Sequence, residues 1–186
     1  MIISIDGAIG AGKSTYLNLL KPEYPVFLEP VEEWEEHLNK FYVDPSRWGC
    51  NFNLQVLCSF AKIKDMNAPI ILCERSPLAC RQVFVQMHYD AGKMDVLELK
   101  TFDEIYKLIA WEPDVLIYIK TNPEYCLERI QRRGRKSEKD MPLEYLQKVH
   151  EKYENIKHLN IHIVDGERPQ LEVLDDIKKI ISLYKI

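Results

Sequence analysis

A glycine-rich segment directly follows the first apolar run of the chain. It reads GAIGAGKS over residues 7–14 and matches G-x-x-x-x-G-K-[ST], the loop that wraps the phosphates of a nucleotide. The glycines let the loop turn tightly, so that its backbone N–H groups point at phosphate oxygens. The helix that begins near Gly12 adds the positive end of its dipole. The segment therefore predicts a nucleoside triphosphate site between a strand and a helix.

Two residues of this loop carry specific expectations. Lys13 is expected to meet the β- and γ-phosphates, and Ser14 to ligate Mg²⁺. A glycine-rich turn without a ligand is the alternative, and the order of strand, loop and helix argues against it. The predicted triphosphate-binding residues here are Gly7, Ala8, Ile9, Gly10, Ala11, Gly12, Lys13, Ser14 and Thr15.

Short apolar runs alternate with helical patterns along the rest of the chain, which is typical of βαβ units. The predicted strands, each expected to be buried on both faces, cover residues 1–6, 26–29, 69–74, 114–120 and 161–165. The predicted helices lie near residues 13–20, 31–41, 47–65, 76–90, 98–112, 123–133, 142–158 and 169–184. We expect an α/β P-loop NTPase fold, a three-layer sandwich around a five-stranded parallel sheet, as one domain over residues 1–186.

The composition argues against several other classes of protein. A net charge of −4 opposes the coating of a nucleic acid, which requires a basic face. No apolar run approaches the roughly 20 residues that span a membrane. The five cysteines lack a C-x-x-C pair and the five histidines lack a metal-ligand spacing, so we expect reduced thiols and no zinc. Because the first predicted strand opens at Met1, we expect no targeting segment and a cytoplasmic location.

Polar residues stand where two further predicted strands end. The second strand ends at Glu29, and the third ends at Glu74 and is followed by Arg75. In open parallel sheets the ligand crevice lies outside the carboxyl ends of the strands, so these groups should converge on the bound triphosphate. Either acid alone is more typical of a helix cap or an ion pair, but both beside a phosphate loop favour a catalytic site.

A second basic cluster, QRRGRKSEKD, begins in the predicted helix 123–133 and contains Arg132, Arg133 and Arg135, and Arg129 lies just before it in the same helix. A solvated helix C-terminus is the alternative, because positive side chains are favoured there. We interpret the segment as a lid, over about residues 133–142, that brings arginine onto a transferring phosphoryl group and excludes water.

The order of these motifs resembles that of the deoxynucleoside kinases. The phosphate loop, EPVEEW, ERS, and RRGR followed by PLEYL occur in sequence between Ile3 and about Glu154. The loop alone marks any P-loop NTPase, whereas ERS, RGR and PLEYL are specific in combination. The resemblance implies phosphorylation of the 5′-hydroxyl of a deoxynucleoside with ATP and Mg²⁺. It also implies a homodimer formed through the helices near residues 76–90 and 98–112.

The resemblance assigns roles around the phosphates. Glu29 is implied as the general base that takes the proton of the 5′-hydroxyl, with Arg75 beside it. Ser14 and Glu74 would hold Mg²⁺, directly or through water. The residues implied to stabilise charge on the transferring phosphoryl group are Lys13, Arg133 and Arg135. The residues implied to lie near the donor adenine are Arg129, Asp165, Gly166 and Glu167.

The resemblance also implies a pocket for the nucleoside. Tyr42 and Glu138 match the pair that binds the 3′-hydroxyl, and Tyr42 would crowd the 2′-hydroxyl of a ribose. Phe84 would stack on the base, with Phe52 near its other face. The implied base pocket consists of Trp34, Phe52, Val56, Phe60 and Phe84.

The sequence departs from the family where a glutamine reads the pyrimidine edge. Alignment through Trp48 and Phe52 puts Asn53 there, with the same paired donor and acceptor but one methylene less reach. Gln55 could take over if the helix were shifted, although it lies about 200° around a helix from Asn53. We favour Asn53 and keep Gln55 as the alternative.

At two positions the chain resembles the thymidine-accepting branch of the family. Where deoxycytidine kinase has an acid and an arginine, this chain has Cys80 and Phe60. The small Cys80 would leave space for a 5-methyl group, and Phe60 would fill the pocket floor and disfavour purines. We therefore expect thymidine and deoxycytidine as acceptors.

Two other functions stay open at this point. A nucleoside monophosphate kinase, such as thymidylate kinase, would share the fold and the lid, but Glu29 would repel an acceptor that is already an anion. A non-catalytic nucleotide-binding module would lack the acceptor chemistry, and a GTPase switch would need an N-K-x-D segment that the sequence lacks.

Overall fold

The computed structural model describes residues 1–135, 138 and 140–185. Residues 136, 137 and 139 of the predicted lid lie outside this described part, as does residue 186. Within it, five parallel strands form one sheet in the order β2-β3-β1-β4-β5, which confirms the predicted α/β class. The strands are β1 (Ile2–Asp6), β2 (Val26–Phe27), β3 (Ile71–Glu74), β4 (Val115–Lys120) and β5 (Ile161–Asp165).

Helices connect these strands and a final helix follows β5, as predicted. They are α1 (Lys13–Leu20), α2 (Glu35–Val43), α3 (Pro45–Phe60), α4 (Pro77–Ala79), α5 (Gln86–Asp90), α6 (Val96–Ile109), α7 (Pro123–Arg133), α8 (Leu143–Glu154) and α9 (Gln170–Ser182). A π-helical segment, Cys80–Val85, joins α4 to α5. Helix α3 begins where Asp44 accepts a hydrogen bond from the backbone of Arg47. No helix of the described chain is long and apolar enough to cross a membrane.

Two apolar cores pack against the sheet, the first on both faces of β4, whose residues Val115–Ile119 all belong to it, and the second against one face of β3. Successive side chains of a strand point to opposite faces, and in β3 Leu72 packs into one core while Ile71 and Cys73 pack into the other. The first core takes buried residues from α1, α7, α8 and α9. The second takes them from α3 and α6. This arrangement leaves the carboxyl ends of the strands open to a ligand.

The predicted burial of every strand on both faces is wrong for β2 and β5. These two strands form the edges of the sheet and stay partly exposed. Strand β2 is also shorter than predicted and stops before Glu29. Pro30 has no backbone N–H, and the N–H of Val31 donates to the carbonyl of Glu29 at 2.9 Å in a three-residue turn. The chain has therefore left the sheet before Glu29.

Candidate active site

A cleft of about 1160 Å³ lies at the carboxyl ends of β1, β2 and β3. It brings together most of the side chains that the sequence nominated from separate strands, helices and the lid. The nominated residues that line it are Ile9, Gly10, Gly12, Lys13, Ser14, Thr15, Glu29, Trp34, Tyr42, Phe52, Asn53, Val56, Glu74, Arg75, Cys80, Phe84, Arg129, Arg133, Arg135 and Glu138.

The phosphate loop closes tightly against the structure behind it. Its glycines adopt φ values of 146° (Gly7), 86° (Gly10) and 99° (Gly12), which other residues rarely adopt. A Cβ at Gly10 would lie 2.5 Å from the carbonyl oxygen of Cys126, so the loop has no room for a side chain there. Ala8 and Ala11 are buried on the inner side of the loop.

Lys13 is buried at the start of α1, where its ammonium donates to the carbonyls of Gly7 and Ala8 at 3.1 and 2.9 Å. Burial, together with the positive charge of Arg75, lowers the pKa of Lys13 to about 8. Two added phosphate charges would favour the protonated ammonium again. When a phosphate binds, the Lys13 ammonium can therefore donate to the phosphate oxygens instead of to the carbonyls of Gly7 and Ala8.

Ser14 and Glu74 meet across the cleft between α1 and β3. The hydroxyl of Ser14 donates to Oε1 of Glu74 at 2.7 Å. Hydroxyl and carboxylate oxygens are ligands that Mg²⁺ accepts, with phosphate and water oxygens completing its shell. In the described residues, no group of three or more His, Cys, Asp or Glu could hold a metal by itself. These two residues therefore fit a magnesium ion that arrives with phosphates.

Glu29 and Arg75 form a buried ion pair on the same wall. Their side chains are 9% and 10% exposed, and Nη1 of Arg75 donates to Oε2 of Glu29. Burial raises the pKa of Glu29, while the guanidinium of Arg75 opposes that shift. The guanidinium also lies 5.1 Å from the ring centroid of Phe84. A carboxylate of raised pKa beside a triphosphate loop suits proton abstraction from an alcohol.

Aromatic rings form the far end of the cleft. Phe52 stacks on Phe41, with 5.2 Å between the ring centroids, and meets the edge of Trp34 at 6.3 Å. Cys80 and Phe84 enter the cleft from the π-helical segment. π-Helical turns recur at functional sites because they redirect side chains. The cleft thus has a polar end at the phosphate loop and an apolar end suited to a flat ring.

The structure corrects the expected role of Phe60. Phe60 is 1% exposed and packs in the second core against Phe27 and Trp111, behind the cleft wall. Eight residues along a helix amount to about 80° of rotation, so Phe60 does not share the direction of Phe52. The argument that Phe60 excludes purines falls with this placement.

Asn53 and Gln55 take different positions on α3. Asn53 is 1% exposed and lines the cleft, whereas Gln55 is half-buried and does not line it. Asn53 is therefore the one of the two that the geometry favours as the residue facing a base.

The loop predicted to lie near the adenine stands beside the cleft, not in its wall. Nη2 of Arg129, which does line the cleft, donates to the carbonyl of Gly166 at 3.0 Å. Oδ1 of Asp165 accepts from the backbone of Glu167, whose carboxylate accepts from Asn122. Arg129 therefore links the loop to the cleft.

The described lid residues form an ion cluster. Glu138 accepts from Arg133 at 2.5 Å and lies 3.6 Å from Arg135. Burial and the negative charge of Glu138 raise the pKa of Tyr42 to about 12. Glu138 therefore lies close enough to Tyr42 to influence its charge, as expected of two residues nominated for the same sugar hydroxyl.

Sequence reasoning missed several residues of the site, among them Phe41, Tyr145 and His88. Phe41 and Tyr145 line the cleft, and His88 is buried against Phe41 and Asn53. Tyr145 lies inside the PLEYL motif and Phe41 next to Tyr42, so both were adjacent to nominated residues. His88 carried no such signal, because its contact to α3 spans 35 positions of sequence.

The fold and the site together define a P-loop NTPase with an acid and an arginine beside its phosphate loop. The chain belongs to the deoxynucleoside kinase family, whose family model matches residues 3–185. It is 34% identical over 187 residues to a protein of Invertebrate iridescent virus 3, covering 97% of this chain and 96% of that one. It is 32% identical over 191 residues to deoxycytidine kinase of Mus musculus, covering 82% and 74%.

A solved structure agrees with this assignment. Deoxyadenosine kinase from M. mycoides, with the products dCMP and dCDP bound, superposes with a TM-score of 0.87 at 26% identity, and the match covers 100% of both chains. The chain is therefore a kinase that phosphorylates nucleosides to monophosphates.

Proposed function

We propose that this kinase transfers the γ-phosphoryl group of ATP to the 5′-hydroxyl of a pyrimidine deoxynucleoside. The observation that carries the proposal is the buried Glu29–Arg75 pair, which shares one cleft with the phosphate loop and its Lys13. An acid at this position suits an alcohol acceptor, because an alcohol must lose a proton when it becomes a phosphate ester.

In the proposed reaction, the oxygen of the 5′-hydroxyl bonds to the γ-phosphorus, and Glu29 accepts the proton that the hydroxyl loses. The bond from the γ-phosphorus to the bridging oxygen of ADP breaks, and ADP leaves. Arg75 holds the Glu29 carboxylate in place. The side chains that would stabilise charge on the phosphoryl group are Lys13, Arg133 and Arg135.

Ser14 and Glu74 are the residues that would hold Mg²⁺. Their oxygens lie 2.7 Å apart at the mouth of the phosphate loop, and both belong to the cleft wall. The bound ion would neutralise charge on the phosphates. Removal of divalent metal with a chelator should therefore abolish turnover.

Pyrimidine acceptors are supported by the apolar end of the cleft. Trp34, Phe52 and Phe84 offer flat faces, and Asn53 supplies a polar group beside them. Tyr42 and Glu138 would take the 3′-hydroxyl. With Phe60 outside the cleft, the preference for pyrimidines depends on Asn53 and Cys80.

A panel of substrates tests the proposal. The purified protein, given ATP and Mg²⁺, should convert thymidine and deoxycytidine to monophosphates faster than it converts deoxyadenosine or deoxyguanosine. Conversion of dTMP to dTDP without conversion of thymidine would instead favour the monophosphate kinase. Binding of ATP without turnover of any acceptor would favour the non-catalytic module.

We further propose one domain over residues 1–186, a homodimer and a cytoplasmic location. Helix α6 carries the exposed apolar residues Val96, Leu97 and Leu108, which supports an interface there. The cysteines are free throughout the described chain, as in a reducing compartment. Light scattering at micromolar concentration should give twice the mass of one chain, and a monomer would contradict the dimer.

A further inference from the structure

We infer that His88 is a positioning residue that fixes the side-chain amide of Asn53, so that a nucleobase meets the carbonyl oxygen of that amide and not its N–H groups. The inference deepens the proposed function, because it takes Asn53 as the residue that faces the base. On this inference, Asn53 recognises the nucleobase as a hydrogen-bond acceptor.

The orientation of the Asn53 amide follows from its two contacts. Nδ2 lies 2.7 Å from the carbonyl oxygen of Gly49 and 2.9 Å from Nδ1 of His88. A carbonyl oxygen can only accept, so the amide atom beside Gly49 must be the nitrogen. A flipped amide would place two acceptor oxygens 2.7 Å apart. Gly49 therefore selects the nitrogen, and this nitrogen donates to both neighbours.

The same geometry fixes the tautomer of His88. Because Nδ2 of Asn53 donates to it, Nδ1 of His88 must carry a lone pair, and the ring proton resides on Nε2. His88 is 4% exposed, and its ring centroid lies 4.9 Å from that of Phe41, so the imidazole cannot rotate freely. Burial lowers the pKa of His88 to about 4, which keeps the ring neutral.

Two contacts use both hydrogens of the Asn53 amide. Oδ1 is then the side-chain atom left to a ligand, and Asn53 lines the cleft. An unrestrained amide could flip to match either thymine or cytosine, whose edges carry donor and acceptor in opposite order. A fixed amide accepts instead from a single N–H, such as N3–H of thymine or the 4-amino group of cytosine.

Variants of His88 test this inference by steady-state kinetics. His88→Leu removes the acceptor, and we expect KM for thymidine or deoxycytidine to rise about two- to tenfold, the range expected for one hydrogen bond. The kcat and the KM for ATP should change less than twofold. His88→Gln keeps an acceptor oxygen and should restore most of the loss. Met87→Leu, a buried neighbour on α5, controls for repacking of the helix.

A double-mutant cycle separates positioning from a purely structural role. In an Asn53→Leu background, His88→Leu should no longer change KM for the deoxynucleoside, because the amide through which His88 acts is gone. An equal rise of KM in both backgrounds, or failure of His88→Gln to restore it, would overturn the inference.

The tautomer of His88 gives a readout that is independent of turnover. Two-bond ¹H–¹⁵N correlation spectra of the whole protein at pH 7 should give an unprotonated Nδ1 and a protonated Nε2. A protonated Nδ1 could not accept from Asn53 and would overturn the inference. If the wild-type protein phosphorylates no deoxynucleoside, the proposed function fails, whereas the spectrum still decides whether His88 fixes the amide.

Discussion

Arg75 donates a hydrogen bond to the carboxylate of Glu29 from a backbone position with a φ of 60°. Such a φ is uncommon outside glycine and costs on the order of 1–3 kcal/mol. The backbone N–H of Arg75 donates to the carbonyl of Ile5 at 3.0 Å, which holds the strained residue at the end of β3. The strained backbone at Arg75 therefore holds the guanidinium beside the Glu29 carboxylate before a substrate binds.

Glu29→Gln should remove the proposed base while keeping an oxygen that can accept from Arg75. We expect kcat to fall by about 10²- to 10⁴-fold, the usual contribution of general-base catalysis. The affinity for ATP should change little, because Glu29 is not part of the phosphate loop. Initial rates with thymidine and equilibrium binding of ATP measure the two effects.

Glu36→Gln is the control for that experiment. Glu36 is a surface residue whose side chain is 80% exposed and pairs with Lys40. Its loss should leave kcat unchanged. If Glu29→Gln kept more than about a tenth of wild-type kcat, general-base catalysis by Glu29 would be refuted, because that role is worth at least ~10²-fold.

Gly10→Ala should disable the phosphate loop. The new Cβ would meet the carbonyl oxygen of Cys126 at 2.5 Å and its Cα at 3.0 Å, so backbone must move. We expect KM for ATP to rise more than about tenfold, because the N–H groups of the loop would leave their phosphate-binding positions.

Gly92→Ala is the matched control for the backbone conformation. Gly92 also has a positive φ, 66°, but a Cβ there would meet nothing within 4 Å. Its substitution should cost about 1 kcal/mol of stability through φ alone, with KM for ATP unchanged. Equal effects of the two substitutions on KM would contradict the role of the close contact at Gly10.

Cys80→Ile should discriminate between thymidine and 2′-deoxyuridine. Cys80 is 2% exposed and lines the apolar end of the cleft. A larger side chain would occupy the space proposed for the 5-methyl group, so kcat/KM for thymidine should fall about tenfold more than for deoxyuridine. Cys58→Ile, at an exposed position of α3, should leave the ratio unchanged. Parallel losses for both substrates would place the methyl group elsewhere.

The predictions from sequence were most accurate for features that the order of strands and loops determines alone. The phosphate loop, Glu29, Glu74 and Arg75 lie at or just after the ends of strands. The parallel sheet places these ends along one edge, however the helices pack. The side of a helix that faces the cleft was harder to predict, because it depends on how that helix rotates against its neighbours. Phe60 was therefore misplaced.

Contacts between distant segments gave no sequence signal at all. His88 reaches Asn53 across 35 positions because the π-helical segment joins α4 to α5, and no periodicity in the sequence indicates such a turn. The same holds for the shortening of β2, which depends on a turn at Glu29. Such features need the packed structure.

The burial of His88 predicts a specific dependence of stability on pH. Burial lowers its pKa in the folded protein to about 4, below the ordinary value of 6.5. As the pH falls through 6.5, His88 of the unfolded chain binds a proton. In the folded protein it stays unprotonated, because its pKa is lower there. The stability contribution is therefore complete above pH 6.5 and is lost as the pH falls towards about 4.

Asp6 acts in the opposite direction, and the experiment must cancel its effect. Burial raises the pKa of Asp6 to about 6, so its contribution grows as the pH falls below that value. Comparison of the wild type with His88→Gln removes the effect of Asp6, because both proteins contain it. Between pH 7 and 5 the free energy of unfolding, measured with urea, should fall by about 2 kcal/mol more in the wild type than in His88→Gln. Parallel pH profiles would mean that the imidazole has the same pKa in the folded protein as in the unfolded chain, which would contradict the burial that holds the ring neutral beside Asn53.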